Sequence, residues 1–218
     1  MHFSELTPVE QRVLGCLIEK RWTTPDQYPL SLNALRLACN QSTNRDPVTQ
    51  YDEAAVQKAA ERLSRYGLAR LASGAGSRAT KYRHLAEEGL GLDREQLAVL
   101  DVLLLRGPQT LGELKGRTER LARFDTLADV SRVLDELGER GYAERMRRRP
   151  GQKEERFRHL LGGTEEAAGE EFPPPVAAGG FDEPIATVAA ADGELEARVA
   201  ALEDEVARLR SQLADLLE

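Results

Sequence analysis

Apolar positions along the chain fall into runs of helical period, broken by short polar or glycine-marked stretches, and the runs come in a repeated order. Val9, Val13, Leu14, Cys16, Leu17 and Ile18 give a first helix its buried face. Thr7, Pro8 and Glu10 stand before it as a cap, a proline at the first helical position and a carboxylate three residues after the cap. The polar, proline-marked stretch from Arg21 to Pro29 predicts a loop. Ser31 then opens a second helix carrying Leu32, Leu35 and Leu37, and a polar connector runs from Cys39 to Val48. A third helix opens at Asp52, buries Val56, Ala59, Ala60 and Leu63, and stops at Gly67. The order then repeats. Asp93 caps a helix with Leu97, Leu100, Val102 and Leu103 inside, and Thr110 with Glu113 forms a capping box for a short second helix. A third begins near Asp125 or Thr126 and buries Leu127, Val130, Val133, Leu134 and Leu137.

Each third helix runs into a predicted hairpin. After Gly141, Tyr142 to Arg147 alternates as a strand, Arg148 to Gln152 makes the turn, and Glu155 to Leu160 returns. Leu63, Gly67 and Ala69 precede Leu137, Gly141 and Ala143 by 74 positions, whereas Tyr82, Arg83, His84 and Leu85 precede Phe157, Arg158, His159 and Leu160 by 75. The slip falls in the hairpin tip, where an insertion is best tolerated. The expected fold is mainly α with small β-hairpins: two tandem winged helix-turn-helix domains, residues 1–89 and 90–161.

Beyond them the pattern changes twice. Residues 162–191 are rich in Glu, Ala, Gly and Pro and predict a disordered linker. In 192–218, Leu195, Val199, Leu202, Val206, Leu209, Leu213 and Leu216 alternate spacings of four and three, the seam of a coiled coil. Val199, Val206 and Leu213 at a with leucines at d favour a parallel homodimer, although a helix of roughly 33 Å is marginal alone.

Charge is unevenly placed. The 218 residues sum to −7, but residues 162–218 hold 14 acids against 3 bases, leaving +4 on residues 1–161. No long apolar run and no basic, apolar-centred leader stands in the sequence, so a cytoplasmic protein away from membranes is expected. Cys16 and Cys39, without a C-x-x-C spacing, and three scattered histidines give no metal site.

The stretches Leu6 to Leu14, Thr23 to Asp26, Tyr28 to Leu35, Ala38 to Gln41 and Asn44 to Val48, with Arg106 to Thr110 and Glu113-Leu114, resemble the YceH-like family of bacterial tandem winged-helix proteins. The resemblance covers roughly residues 5 to 161 and implies two winged-helix domains. That family is functionally uncharacterised, and DNA binding is what its fold suggests.

Winged helices place helix 3 in the major groove and the hairpin tip against the backbone or minor groove. Arg145, Arg147, Arg148, Arg149 and Lys153 crowd the second hairpin, and Arg78 and Lys81 lie on the first. Lys58, Arg62 and Arg65 are groove candidates on the first helix 3, whereas Asp129, Asp135, Glu136 and Glu139 on the second would repel phosphates. The connector residues Asn40, Gln41, Asn44, Arg45 and Asp46 admit two readings, a polar contact surface or side chains bonding local backbone in turns. No Gly-rich phosphate loop, nucleophile elbow, Cys–His pair or paired carboxylates suggest catalysis, so neither an enzyme nor a cofactor is expected. A non-catalytic DNA-binding regulator is the leading expectation. The alternative is a tandem winged-helix protein-interaction module that reads no DNA.

Overall fold

The computed structural model describes residues 6–72, 80–148, 152 and 154–162. All of them belong to one compact unit. The expected linker and coiled coil, with every seam residue from Leu195 to Leu216, lie outside the described residues, as do Arg78, Arg149 and Lys153.

The chain is mainly helical, with two small antiparallel sheets. The first module holds α1 (Pro8–Thr23), β1 (Leu30–Ser31), α2 (Leu32–Cys39), α3 (Glu53–Arg65), β2 (Ala69–Ala72) and β3 (Lys81–His84). A short α4 (Ala86–Leu90) leads into α5 (Arg94–Arg106), α6 (Leu111–Thr118), α7 (Leu127–Glu139), β4 (Ala143–Arg145) and β5 (Phe157–His159). Helix starts are set by side chains that satisfy first-turn amides. Thr7, Asp93, Thr110 and Thr126 form reciprocal capping boxes with Glu10, Gln96, Glu113 and Asp129, and Asp52 caps α3. Both third helices end alike. Gly67 and Gly141 sit at φ 73°, and Leu68 and Tyr142 donate back to the carbonyls of Leu63 and Leu137 at 2.9 and 2.8 Å.

Three details differ from the sequence pattern. First, α1 runs through Arg21 and Trp22 to Thr23 rather than ending before Arg21. Arg21 pairs with Glu87 at 2.5 Å and Trp22 packs on the core, so the extra turn gains tertiary contacts that propensity does not register. Second, the first hairpin gains a third strand, Leu30 pairing with Tyr82 in the order β1-β3-β2. The second hairpin has a one-residue counterpart, Gln109 exchanging both backbone bonds with Phe157 at 3.0 and 2.8 Å. Third, the expected boundary near residue 89 falls inside α4, and the two modules share one apolar core.

That shared core is centred where α1 meets α5. Both helices are buried over most of their length, through Val13, Leu14, Leu17 and Ile18 on α1 and Leu97, Leu100, Leu103 and Leu105 on α5. Gly15 permits the close approach: a Cβ there would lie 2.8 Å from Leu105 Cδ2 and 3.4 Å from Asp101 Oδ1.

Candidate nucleic-acid interface

The second hairpin is built from β4 and β5, paired Ala143 to His159, Glu144 to Arg158 and Arg145 to Phe157. Ala143 and Phe157 are buried on one face, which also carries the exposed Arg145, and Glu144 and Arg158 share the other. The arginines divide by what they meet. Arg145 stacks over Phe157 at 5.5 Å and pairs with Glu155 at 3.0 Å, and Arg148 reaches the same carboxylate at 3.4 Å. Arg158 pairs with Glu144 at 2.5 Å, and Arg156 with Glu113 at 3.2 Å. Arg147 is exposed and meets no described acid. So Glu155 partly neutralises this basic strip, and Arg147 is its free cation among the described residues.

The first hairpin shows a pair that the sequence pattern did not single out. Arg70 on β2 stands directly opposite Arg83 on β3, and both are exposed. Like charges in register across a sheet repel, so this face favours an anion. The period-2 alternation of Ala69, Arg70 and Leu71 against Tyr82, Arg83 and His84 was the available signal. Lys81, half-buried opposite Ala72, adds a further cation on β3.

On α3 the three candidates separate. Lys58 and Arg65 are exposed. Arg62 is occupied: its Nε lies 2.7 Å from the buried carboxylate of Glu10, and it donates to Tyr66 Oη at 3.0 Å. On α7 the exposed side chains include Asp135 and Glu139, beside a groove of about 460 Å³ bounded by Leu134, Gly138, Glu144 and Phe157.

The connector before α3 is largely an internal scaffold. Arg45 is fully buried, and its guanidinium takes Glu19 in a fork at 3.1 and 2.7 Å. It also donates to the carbonyls of Ala38 at 3.0 Å and Asn44 at 2.7 Å and to Gln41 Oε1 at 2.9 Å. Asn40 both donates to and accepts from the backbone of Tyr51 at 2.8 Å. Asn44, at φ 60°, adopts the left-handed conformation that asparagine tolerates. Its side chain accepts from Arg106, and the Asp46 amide donates to the Leu105 carbonyl at 2.9 Å. Thus Arg45 and Asn40 bond nearby backbone, Gln41 accepts from the Lys20 and Arg45 side chains at 3.3 and 2.9 Å, and the side chains of Asn44 and Asp46 lie at the surface.

Sequence reasoning missed the charged groups inside this region. Arg12 is buried and donates to the carbonyls of Pro47 at 2.7 Å and Cys39 at 3.4 Å. Asp101 is 1% exposed in the middle of α5. Charged residues interrupting apolar helix faces were the only sign of either. The histidines occupy equivalent hairpin positions. His84 lies against Trp22 and Tyr28, accepts from the Ala86 amide at 3.2 Å, and is held at about 4 by burial and then by Arg21. Burial, then Arg158, likewise lowers His159 to about 4.

Among the described residues no helix is long and apolar enough to cross a membrane, and no cluster of His, Cys, Asp and Glu could hold a metal ion. The architecture is that of a helix-rich protein built from two fused helix–hairpin modules. The family described as "Protein of unknown function, DUF480" matches residues 6–152. A UPF0502 protein of Pelobacter propionicus is 49% identical over 217 residues, covering 96% of this chain and 95% of that protein. One of Geotalea daltonii is 53% identical over 79% of this chain and 80% of its own, and one of Serratia proteamaculans 43% over 98% and 96%. The chain belongs to this DUF480/UPF0502 family, in agreement with the YceH-like resemblance of its motifs.

Proposed function

We propose that the chain is a non-catalytic, cytoplasmic DNA-binding protein, a transcriptional regulator whose two modules act as tandem winged helices. The observation that carries this reading is the exposed cation set on the hairpins, Arg147 beside Arg145 and Arg148 on one and Arg70 opposite Arg83 on the other. Each hairpin follows a three-helix unit in the order expected of a wing, and arginine suits phosphate and narrow minor grooves. Lys58 and Arg65 on α3 are the candidate groove contacts, and the wing contacts include Arg149, Lys153, Arg78 and Lys81. A parallel homodimer through Leu195 to Leu216 would pair two such units.

Fluorescence anisotropy with random-sequence duplex DNA across a salt series tests this. Binding should weaken linearly in log salt with a slope of about 0.9 per phosphate contact. Absence of binding at low salt, also after removal of residues 162–218, would refute it. A second reading draws on α7, whose exposed Asp135 and Glu139 are unsuited to a phosphate backbone: a tandem winged-helix module that binds another protein.

A further inference from the structure

Where the end of α1, the connector, α5 and the end of α6 meet lies a solvent-connected cavity of about 70 Å³. Its polar wall holds Glu19, Asn44, Asp101, Arg106, Arg117 and Arg120. The charges there do not balance. Glu19 is already taken by Arg45 at 2.7 Å and Lys20 at 3.1 Å. Glu113, the remaining nearby acid, is shared by Arg117 at 3.7 Å and Arg156 at 3.2 Å. Arg120 is exposed and meets no described partner. Burial, and then repulsion from Arg117 and Arg45, depresses the Arg106 guanidinium below its ordinary value. Asp101 does not relieve this. It is almost wholly buried and its Oδ1 has no partner among the described residues. Burial, and then the Glu19 carboxylate, raise its proton affinity above the ordinary carboxylate range.

We infer that this inter-module cavity binds an anion, the phosphate group of a small molecule, through Arg106, Arg117 and Arg120. Three guanidinium groups suit a dianion better than a single carboxylate. The cavity admits the headgroup only, leaving the rest of the molecule at the open mouth. Because Glu19 and Asn44 come from one module and Arg106, Arg117 and Arg120 from the other, occupancy would tighten the seam between them. The site stands independently of whether the hairpins bind DNA.

Isothermal titration and thermal melting of the full chain with inorganic phosphate, at ionic strength held constant with potassium chloride, test the inference. Wild type should show phosphate-specific heat and a raised Tm. Arg120→Gln and Arg106→Gln should each weaken phosphate binding at least tenfold, while Arg123→Gln, on the exposed loop after α6, should bind as wild type. Arg120→Gln keeps the test valid if Arg106→Gln fails to fold, since the Arg120 side chain is exposed. No phosphate effect beyond chloride, or equal binding by Arg120→Gln, overturns the site. A duplex-DNA arm identifies the source of the phosphate. Unchanged duplex affinity in Arg120→Gln supports a small-molecule ligand; loss of both inorganic phosphate and duplex binding supports the phosphate site but assigns it to the DNA backbone. Loss of duplex binding alone overturns it.

Discussion

Arg45 and Glu19 form a two-pronged ion pair at 2.7 and 3.1 Å in which the arginine side chain has no exposure and the carboxylate very little. Removing the arginine would leave that largely buried carboxylate with Lys20 alone, and the carbonyls of Ala38 and Asn44 without the donor they share. Arg45→Met should therefore lower unfolding stability by about 3 kcal/mol. Arg45→Lys should be destabilised as well, because an ammonium cannot reproduce the fork. Urea unfolding measures both; a lysine variant as stable as wild type would contradict the geometric part.

Gly15 lies under Leu105. Alanine there would gain up to about 1 kcal/mol of helix propensity, but its methyl would meet a buried leucine at 2.8 Å. Overpacking of this kind costs about 1–3 kcal/mol. Gly15→Ala should be net destabilised in thermal melts, whereas a gain would mean that the α1–α5 seam can relax.

His84 makes stability depend on pH. Its folded value of about 4 lies below the ordinary 6.5, so the unfolded chain binds the proton first. The contribution is complete above about pH 6.5 and disappears toward pH 4, amounting to about 3 kcal/mol. His84→Asn, which keeps an acceptor for the Ala86 amide, should remove about half of the rise in stability between those limits in chemical denaturation at stepped pH, His159 supplying the rest.

Asp101 has the opposite sign. Its folded value is raised, so stability falls as pH rises above the ordinary carboxylate value, where only the unfolded chain gives up the proton. Asp101→Asn, nearly isosteric and permanently neutral, should gain Tm relative to wild type increasingly as pH rises above the ordinary carboxylate value of 3.8. A difference that does not change with pH would show that the folded chain does not raise the Asp101 carboxyl.

Glu155 restrains the wing by holding Arg145 and Arg148. Glu155→Gln should increase duplex-DNA affinity and steepen its salt dependence, while Arg147→Ala should flatten the slope by about 0.9. If the two substitutions leave anisotropy curves superimposable on wild type, the second hairpin is not a DNA contact.

Much of this was legible in the chain itself. Helix starts at Thr7, Asp52, Asp93 and Thr110 follow from local hydrogen-bonding chemistry, and the helix ends at Gly67 and Gly141 from backbone conformation. Such signals lie within a few residues. What escaped was non-local: the strand pairing of Leu30 with Tyr82, the burial of Arg12 and Asp101, and the opposition of Arg70 and Arg83. The connector shows the difference most clearly. Its polar residues announced a special turn, but only packing against α1 and α5 decides that Arg45 points inward and that Asn44 meets Arg106.

The amide of Asp46 finds its acceptor on Leu105, and the apolar face of α1 finds its cover on α5. Neither half is therefore self-sufficient, despite the repeated order of elements. Cleaving the chain within α4 would strand Leu14, Leu17 and Ile18 on one fragment and Leu100 and Leu105 on the other, giving two sticky pieces rather than two small proteins. With one core between them, the two halves should unfold together in a single transition rather than one after the other.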